Sequence, residues 1–117
     1  MEKIVRKWLV AFVALGALAG GSAQASNTAP VIVMSITPTN YGMVYFTHAG
    51  TRTQIPSCGA ASNSRYAFSV ATPGGQAMLS TLLTAFATHK PVTIVGTSAC
   101  DQAAPDTESA AYFVISD

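Results

Sequence analysis

Cys58 and Cys100 are the two cysteines of this chain, and they bracket its one convincing helix downstream of an export signal. A cysteine pair in that setting is expected to close a disulfide in an oxidising compartment. Cross-linking a loop of about 40 residues contributes about 3–4 kcal/mol, a large share of the stability of a small domain. The bond would tie the loop before the third strand to the end of the fourth, across the helix.

The export signal occupies residues 1–25 and is set apart from the fold. Lys3, Arg6 and Lys7 form a positive leader, residues 8–19 are an apolar run, and Ala23, Gln24 and Ala25 supply the small residues around a signal-peptidase site. Cleavage there starts the working chain at Ser26, a single domain spanning residues 26–117. Crossing a bilayer takes about 20 apolar residues, more than this run offers, so no membrane span is expected after removal. Gly21 stands where a lipoprotein would carry its lipidated cysteine. The expected location is the bacterial periplasm or the exterior.

Without the leader the chain keeps Arg52, Arg65 and Lys90 against Asp101, Asp106, Glu108 and Asp117, a net charge of −1. Phosphate binding needs clustered Lys and Arg, so this balance argues against nucleic acid. So few charges leave the surface to Ser, Thr, Ala, Asn and Gln, a setting that suits self-association.

Hydrophobic patterning separates short strands from the helix. Residues 31–36 are rich in β-branched side chains and run into Pro38, so they read as a strand followed by a turn. Residues 42–48 read as a second strand, with 51–55 as a short antiparallel return before Pro56. Residues 57–64 are small and polar, a loop. Tyr66, Phe68 and Val70 alternate along the third strand. Thr72 is placed to cap a helix that Pro73 opens and Pro91 ends, with His89 and Lys90 in its last turn. Leu79, Leu82, Leu83 and Phe86 make the apolar stripe expected to face the sheet. Gly74 and Gly75 weaken the first turn and point to a close backbone approach. Residues 91–97 and 111–115 are the last two strands, separated by an acidic loop over 101–109.

The fold expected is therefore mainly β with one helix, an α+β arrangement in the order β-β-β-α-β-β. That is the element order of the OB-fold, a small five-stranded barrel, with the helix plugging one end. The segments Pro56-Ser57-Cys58, Arg65-Tyr66-Ala67-Phe68, Thr72 through Ser80, Lys90 through Thr97 and Asp106-Thr107-Glu108 together resemble small exported bacterial proteins of unassigned role. More distantly they resemble the B subunits of AB5 toxins of the subtilase cytotoxin type. The resemblance covers residues 43–117, and its specific part is the helix and the cysteine frame. It implies an OB-fold, assembly into rings and recognition of host glycans, and no position here matches a sugar-binding motif.

Candidate chemistry is sparse. His48 and His89 lack a third ligand or a nearby cysteine pair, so they read as a turn residue and a helix-end cation rather than a metal site. Asp101, Asp106 and Glu108 lack the spacing of a calcium loop and read as a solvated acidic stretch. Ser98 has no G-x-S-x-G frame, the glycines of the helix start have no lysine of a phosphate loop, and the cysteines are not spaced for redox catalysis. No acid, base and nucleophile set can be assembled, so no enzyme, cofactor or metal is expected. Two readings stand. One is an exported non-enzymatic binding module for a glycan or another exported protein, using Tyr41, Tyr45 and Arg52 or Arg65, a homo-oligomer if it follows the toxin subunits. Aromatic faces stack on sugars and Arg supplies paired donors, although Tyr45 and Tyr66 fit equally as core or sheet-surface residues. The other is a structural or envelope-associated protein whose partner is itself or a neighbouring protein.

Overall fold

The structure, a computed structural model, describes residues 25–116. The expected leader lies outside the described residues except for Ala25. In chain order the elements are β1 (Asn27–Thr28), β2 (Val33–Pro38), β3 (Met43–His48), β4 (Arg52–Thr53), a 3-10 helix (Ser57–Ser62), β5 (Arg65–Ser69), α1 (Pro73–Thr88), β6 (Val92–Cys100) and β7 (Glu108–Ile115). The architecture is mainly β with one main helix, the α+β class that the patterning indicated.

The strands form one seven-stranded sheet in the order β2-β3-β5-β7-β6-β1-β4. Pairing is antiparallel except between β5 and β7, which run parallel at Ala67 and Ser109. This corrects the expected count of five strands. Arg52–Thr53 does return as a short strand, but it pairs with Asn27–Thr28 rather than with the strand before it. Two-residue strands are too short to show any period-2 alternation, which is why β1 left no signal in the sequence. A further antiparallel bridge joins Val31 to Val92 through hydrogen bonds of 2.9 and 2.8 Å, bringing the lead-in to β2 against the start of β6.

Alternation along the middle strands decides the core. Val44 and Phe46 of β3 face inward with Tyr66 and Phe68 of β5, Val92 and Ile94 of β6, and the half-buried Phe113 of β7. Their rings interlock, with Phe113 edge-on to Phe46 at 5.2 Å and to Phe68 at 5.6 Å. Such offset and edge-on pairs add to the gain from burial alone. Met43 and Ala67 point to the other side of the sheet, where Ala104 of the 101–107 connection covers them.

The helix starts as its sequence requires. The Thr72 side chain accepts a hydrogen bond from Gly75 N at 3.1 Å, and Pro73 takes the first helical position. Gly75 permits the close approach: a Cβ there would stand 1.8 Å from the Ser69 carbonyl oxygen, whereas Gly74 has no such neighbour. The buried stripe differs from the one expected. Leu82 and Ala85 are fully buried, and Met78 and Leu79 pack partly against the core. Leu83 and Phe86 remain 47% and 41% exposed. Two faces satisfy an i, i+3, i+4, i+7 pattern here, and the Gly75 contact with Ser69 rotates α1 so that its Gly75, Met78, Leu82 and Ala85 side meets the sheet. His89 lies beyond the last turn as a left-handed cap at φ 54°, its own N–H and that of Lys90 closing onto Phe86 and Ala85.

Three further expectations change. Residues 57–64 are not an irregular loop, because Ser57–Ser62 forms the 3-10 helix that carries Cys58. His48 is not a turn residue but the buried end of β3. Glu108 does not belong to a solvated acidic stretch: β7 begins there and its side chain is enclosed. The Cys58–Cys100 disulfide is formed, with 6.3 Å between Cα atoms, and clamps the 3-10 helix to the end of β6.

Candidate functional site

The outer face of β2, β3 and β5 carries a row of polar side chains because each strand turns its alternate residues away from the core. Cross-strand register sets Ser35 beside Thr47 and Thr47 beside Arg65, and in the next row Thr37 beside Tyr45 and Tyr45 beside Ala67. Ser35 and Thr47 hydroxyls are 2.6 Å apart. Apart from Ala67, these residues join Thr39 and Asp106 in lining a groove of about 520 Å³. A volume of this order accommodates a small ligand.

Two connections finish the groove. The β2–β3 turn is pinned by Thr39, whose hydroxyl donates to the Met43 carbonyl at 2.7 Å and accepts from Met43 N at 3.2 Å. That turn presents Tyr41, 57% exposed, whose hydroxyl reaches the Tyr45 hydroxyl at 3.1 Å. The connection from β6 to β7 brings Asp106. Its carboxylate meets Arg65 Nη2 at 3.1 Å and accepts from the Thr107 hydroxyl at 3.0 Å. The Asp106 carboxyl is held below the usual carboxylate range, first by the Thr107 hydroxyl and then by Arg65.

Arg65 is the organising residue. Its Nε and Nη2 donate to Thr107 Oγ1 at 3.0 and 2.7 Å, and Nη2 also donates to the Ser62 hydroxyl at 3.2 Å. Held by these contacts, the guanidinium lies 5.1 Å from the centre of the Tyr45 ring. The Tyr45 phenol is raised above its ordinary range, chiefly by the hydrogen bond with Tyr41 and then by burial. The groove thus offers aromatic surface, several hydroxyls, one cation and one anion already paired. Such a surface is suited to stacking and hydrogen bonding.

Of the sequence candidates, the structure brings Tyr41, Tyr45 and Arg65 together and places Arg52 elsewhere. Arg52 is enclosed on the opposite side of β5, over the Tyr66 ring at 4.2 Å and 3.6 Å from Glu108 Oε1. It donates to the carbonyls of Arg65 and Ser62 at 3.2 and 3.4 Å. Sequence reasoning missed Asp106, Ser35, Thr37 and Thr47 as partners in the groove. The alternation of Thr47 with Phe46 and His48 was the available sign for the strand positions, whereas the meeting of Arg65 with Asp106 across 41 residues left none.

Among the described residues no cluster of His, Cys, Asp and Glu is arranged to hold a metal, and no helix is long and apolar enough to cross a membrane. Comparison with protein-family models, with curated proteins and with solved structures finds no match for this chain.

Proposed function

We propose that the protein is an exported, non-enzymatic binding module that takes a saccharide in the groove between β2, β3, β5 and the 101–107 connection. The observation that carries this reading is the meeting of Tyr45 and Arg65 in one groove whose remaining lining is hydroxyl-rich, with Tyr41 beside it against the Tyr45 hydroxyl. Sugars present apolar C–H faces to aromatic rings and a fringe of hydroxyls to Ser, Thr and Asp, and the groove supplies both. Its one cation is matched by Asp106, which favours an uncharged sugar face over a strongly anionic one.

We further propose that the domain is an OB-type barrel resembling toxin B subunits. Its five longer strands run β2-β3-β5-β7-β6, with β5 and β7 parallel, and the Val31–Val92 bridge draws the two ends of that series together. In barrels of this type the face of the second and third strands and the flanking loops bind oligosaccharides and oligonucleotides. Here that face is the one with the groove. Ring assembly would repeat a weak site and turn it into an avid one.

A glycan array probed with the chain from Ser26, alone and displayed multivalently, tests the proposal. Binding that strengthens with multivalent display and weakens in Tyr41→Ala supports it. A blank array together with a monomeric mass by light scattering overturns it. That result would favour the structural or envelope-associated reading, for which the outward Leu83 and Phe86 of α1 are the specific observation, since they suit contact with a neighbouring protein.

A further inference from the structure

The interior holds a second polar cluster, separate from the groove, and its least expected member is Ser26. This residue stands at the edge of the fold, yet it is 0% exposed. Its hydroxyl donates to Glu108 Oε1 at 2.5 Å and lies 2.7 Å from the Tyr66 hydroxyl, and its carbonyl accepts from Gly96 N at 2.9 Å. Gly96 is shaped to this contact: a Cβ there would meet Glu108 Oε2 at 2.0 Å and Ser26 Oγ at 2.7 Å. Directly after Ser26, β1 pairs with both β6 and β4 and so stitches the sheet's far end together.

Glu108 has room for one more partner. A carboxylate offers about four acceptor sites. The Ser26 hydroxyl takes one on Oε1 and Ser98 N takes one on Oε2 at 3.0 Å. Arg52, the facing cation, stands 3.6 Å from Oε1, beyond hydrogen-bond distance, and spends donors on the carbonyls of Arg65 and Ser62. Arg52 and Glu108 thus form an enclosed ion pair without a direct hydrogen bond between them, and the desolvation of such a pair is offset only when further hydrogen bonds and charges surround it. The leader motif ends at Ala25, so the bond expected to be cut is the one that joins Ala25 to this buried serine.

We propose that Ser26 is the anchored N-terminus of the working protein and that its α-ammonium is a second cation for Glu108. The hydrolysis, by a protease of the signal-peptidase class, consumes one water. It breaks the Ala25–Ser26 amide, leaves a carboxylate on Ala25 and frees an amine that takes up a proton. Within one serine the amine lies no more than about 3.7 Å from Oγ whatever the rotamer, so the new charge falls within about 6 Å of Glu108 Oε1, inside the range where opposite charges interact strongly. Processing thereby sets a second positive charge beside the enclosed Arg52–Glu108 pair as well as releasing the chain.

The charged and titratable groups facing this point are Glu108 from β7, Arg52 from β4, Tyr66 from β5 and, beside Tyr66, His48 from β3. Burial pushes the Tyr66 phenol up and the His48 imidazole down, so neither changes charge between about pH 7 and pH 9. The α-amine, ordinarily near about 7.7–8.0, is the group that titrates in that window. Pairing with Glu108 raises its folded-state value against the lowering by burial and by Arg52, so the stabilisation from that pairing is complete below about pH 7.7 and disappears as pH rises through the folded value.

The test compares three forms of the chain that all keep Glu108: one beginning at Ser26, one beginning at Ala25, and one beginning at Ser26 with the amine acetylated. The form with free Ser26 should melt higher by about 4–8 °C near pH 7, and the gap should close near pH 10. The pH dependence of acylation at the amine should place its pKa above about 8 in the folded protein. Equal melting temperatures near pH 7, or a gap that persists undiminished near pH 10, overturn the proposal. Glu108→Gln in the Ser26 form, where it folds, should abolish the pH dependence of the gap.

Discussion

Leu82 and Leu83 are adjacent leucines on one helix, and the structure gives them opposite fates. Leu82 is 0% exposed beneath the core cluster, so Leu82→Ala removes buried methyl groups and leaves a cavity that the interlocked rings of Phe46, Phe68 and Phe113 cannot easily fill. Buried Leu→Ala changes cost about 2–5 kcal/mol, and the rigidity of this ring cluster favours the upper half of that range. Leu83 is nearly half exposed, and replacing it should stay within about 0.5 kcal/mol. In a domain of this size each kcal/mol moves the melting temperature by about 4–8 °C, so the two variants should differ by more than 10 °C. Urea titration followed by circular dichroism measures both, with an unchanged denaturant slope as the sign that the unfolded states are comparable. A Leu83→Ala variant as unstable as Leu82→Ala would refute the placement of α1, because the helix would then be rotated onto the 79/82/83/86 stripe.

The Cys58–Cys100 bond should leave no free thiol in protein taken from an oxidising compartment, and Cys100→Ala should lower stability by about 2–5 kcal/mol; thiol counting in denaturant and thermal melts check both, and two reactive thiols would refute the bond. In the groove, Tyr41→Ala should weaken saccharide binding while leaving the melting temperature within about 2 °C, since that ring is mostly exposed; unaltered binding would remove Tyr41 from the site. His48 should make the fold acid-sensitive. Burial, reinforced by nearby Arg52, lowers its folded-state pKa, so the unfolded chain takes up a proton first as pH drops below about 6.5. Stability from this group is therefore intact above that pH and lost as pH falls through the folded value; urea midpoints at about pH 7.5 and 5.5 should differ, and by less in His48→Gln.

The local chemistry of the chain was legible residue by residue. The Thr72 cap, Pro73, the alternation of Tyr66 and Phe68 and the cysteine pair each act over a few residues or through a covalent rule, and each stands where its chemistry requires. The order of the longer elements followed for the same reason, because periods of 2 and 3.6 survive without any knowledge of neighbours. Tertiary contact decided the rest. Which face of α1 is buried turned on Gly75 meeting the Ser69 carbonyl, a contact between backbones that hydrophobic spacing does not encode. Arg52 and Arg65 are the same residue type in similar polar company, yet one is sealed over Tyr66 beside Glu108 and the other is held by Asp106 and Thr107 at the edge of the groove. Glu108 on one side and Asp106 and Thr107 on the other lie roughly 40 or more residues away, and only the folded sheet sets the distances that enclose one arginine and leave the other lining the groove. Ser26 shows the same division most sharply: the small residues before it carry only the expectation of a cut, while its burial against Glu108, 82 residues on, exists only once β1, β6 and β7 are assembled.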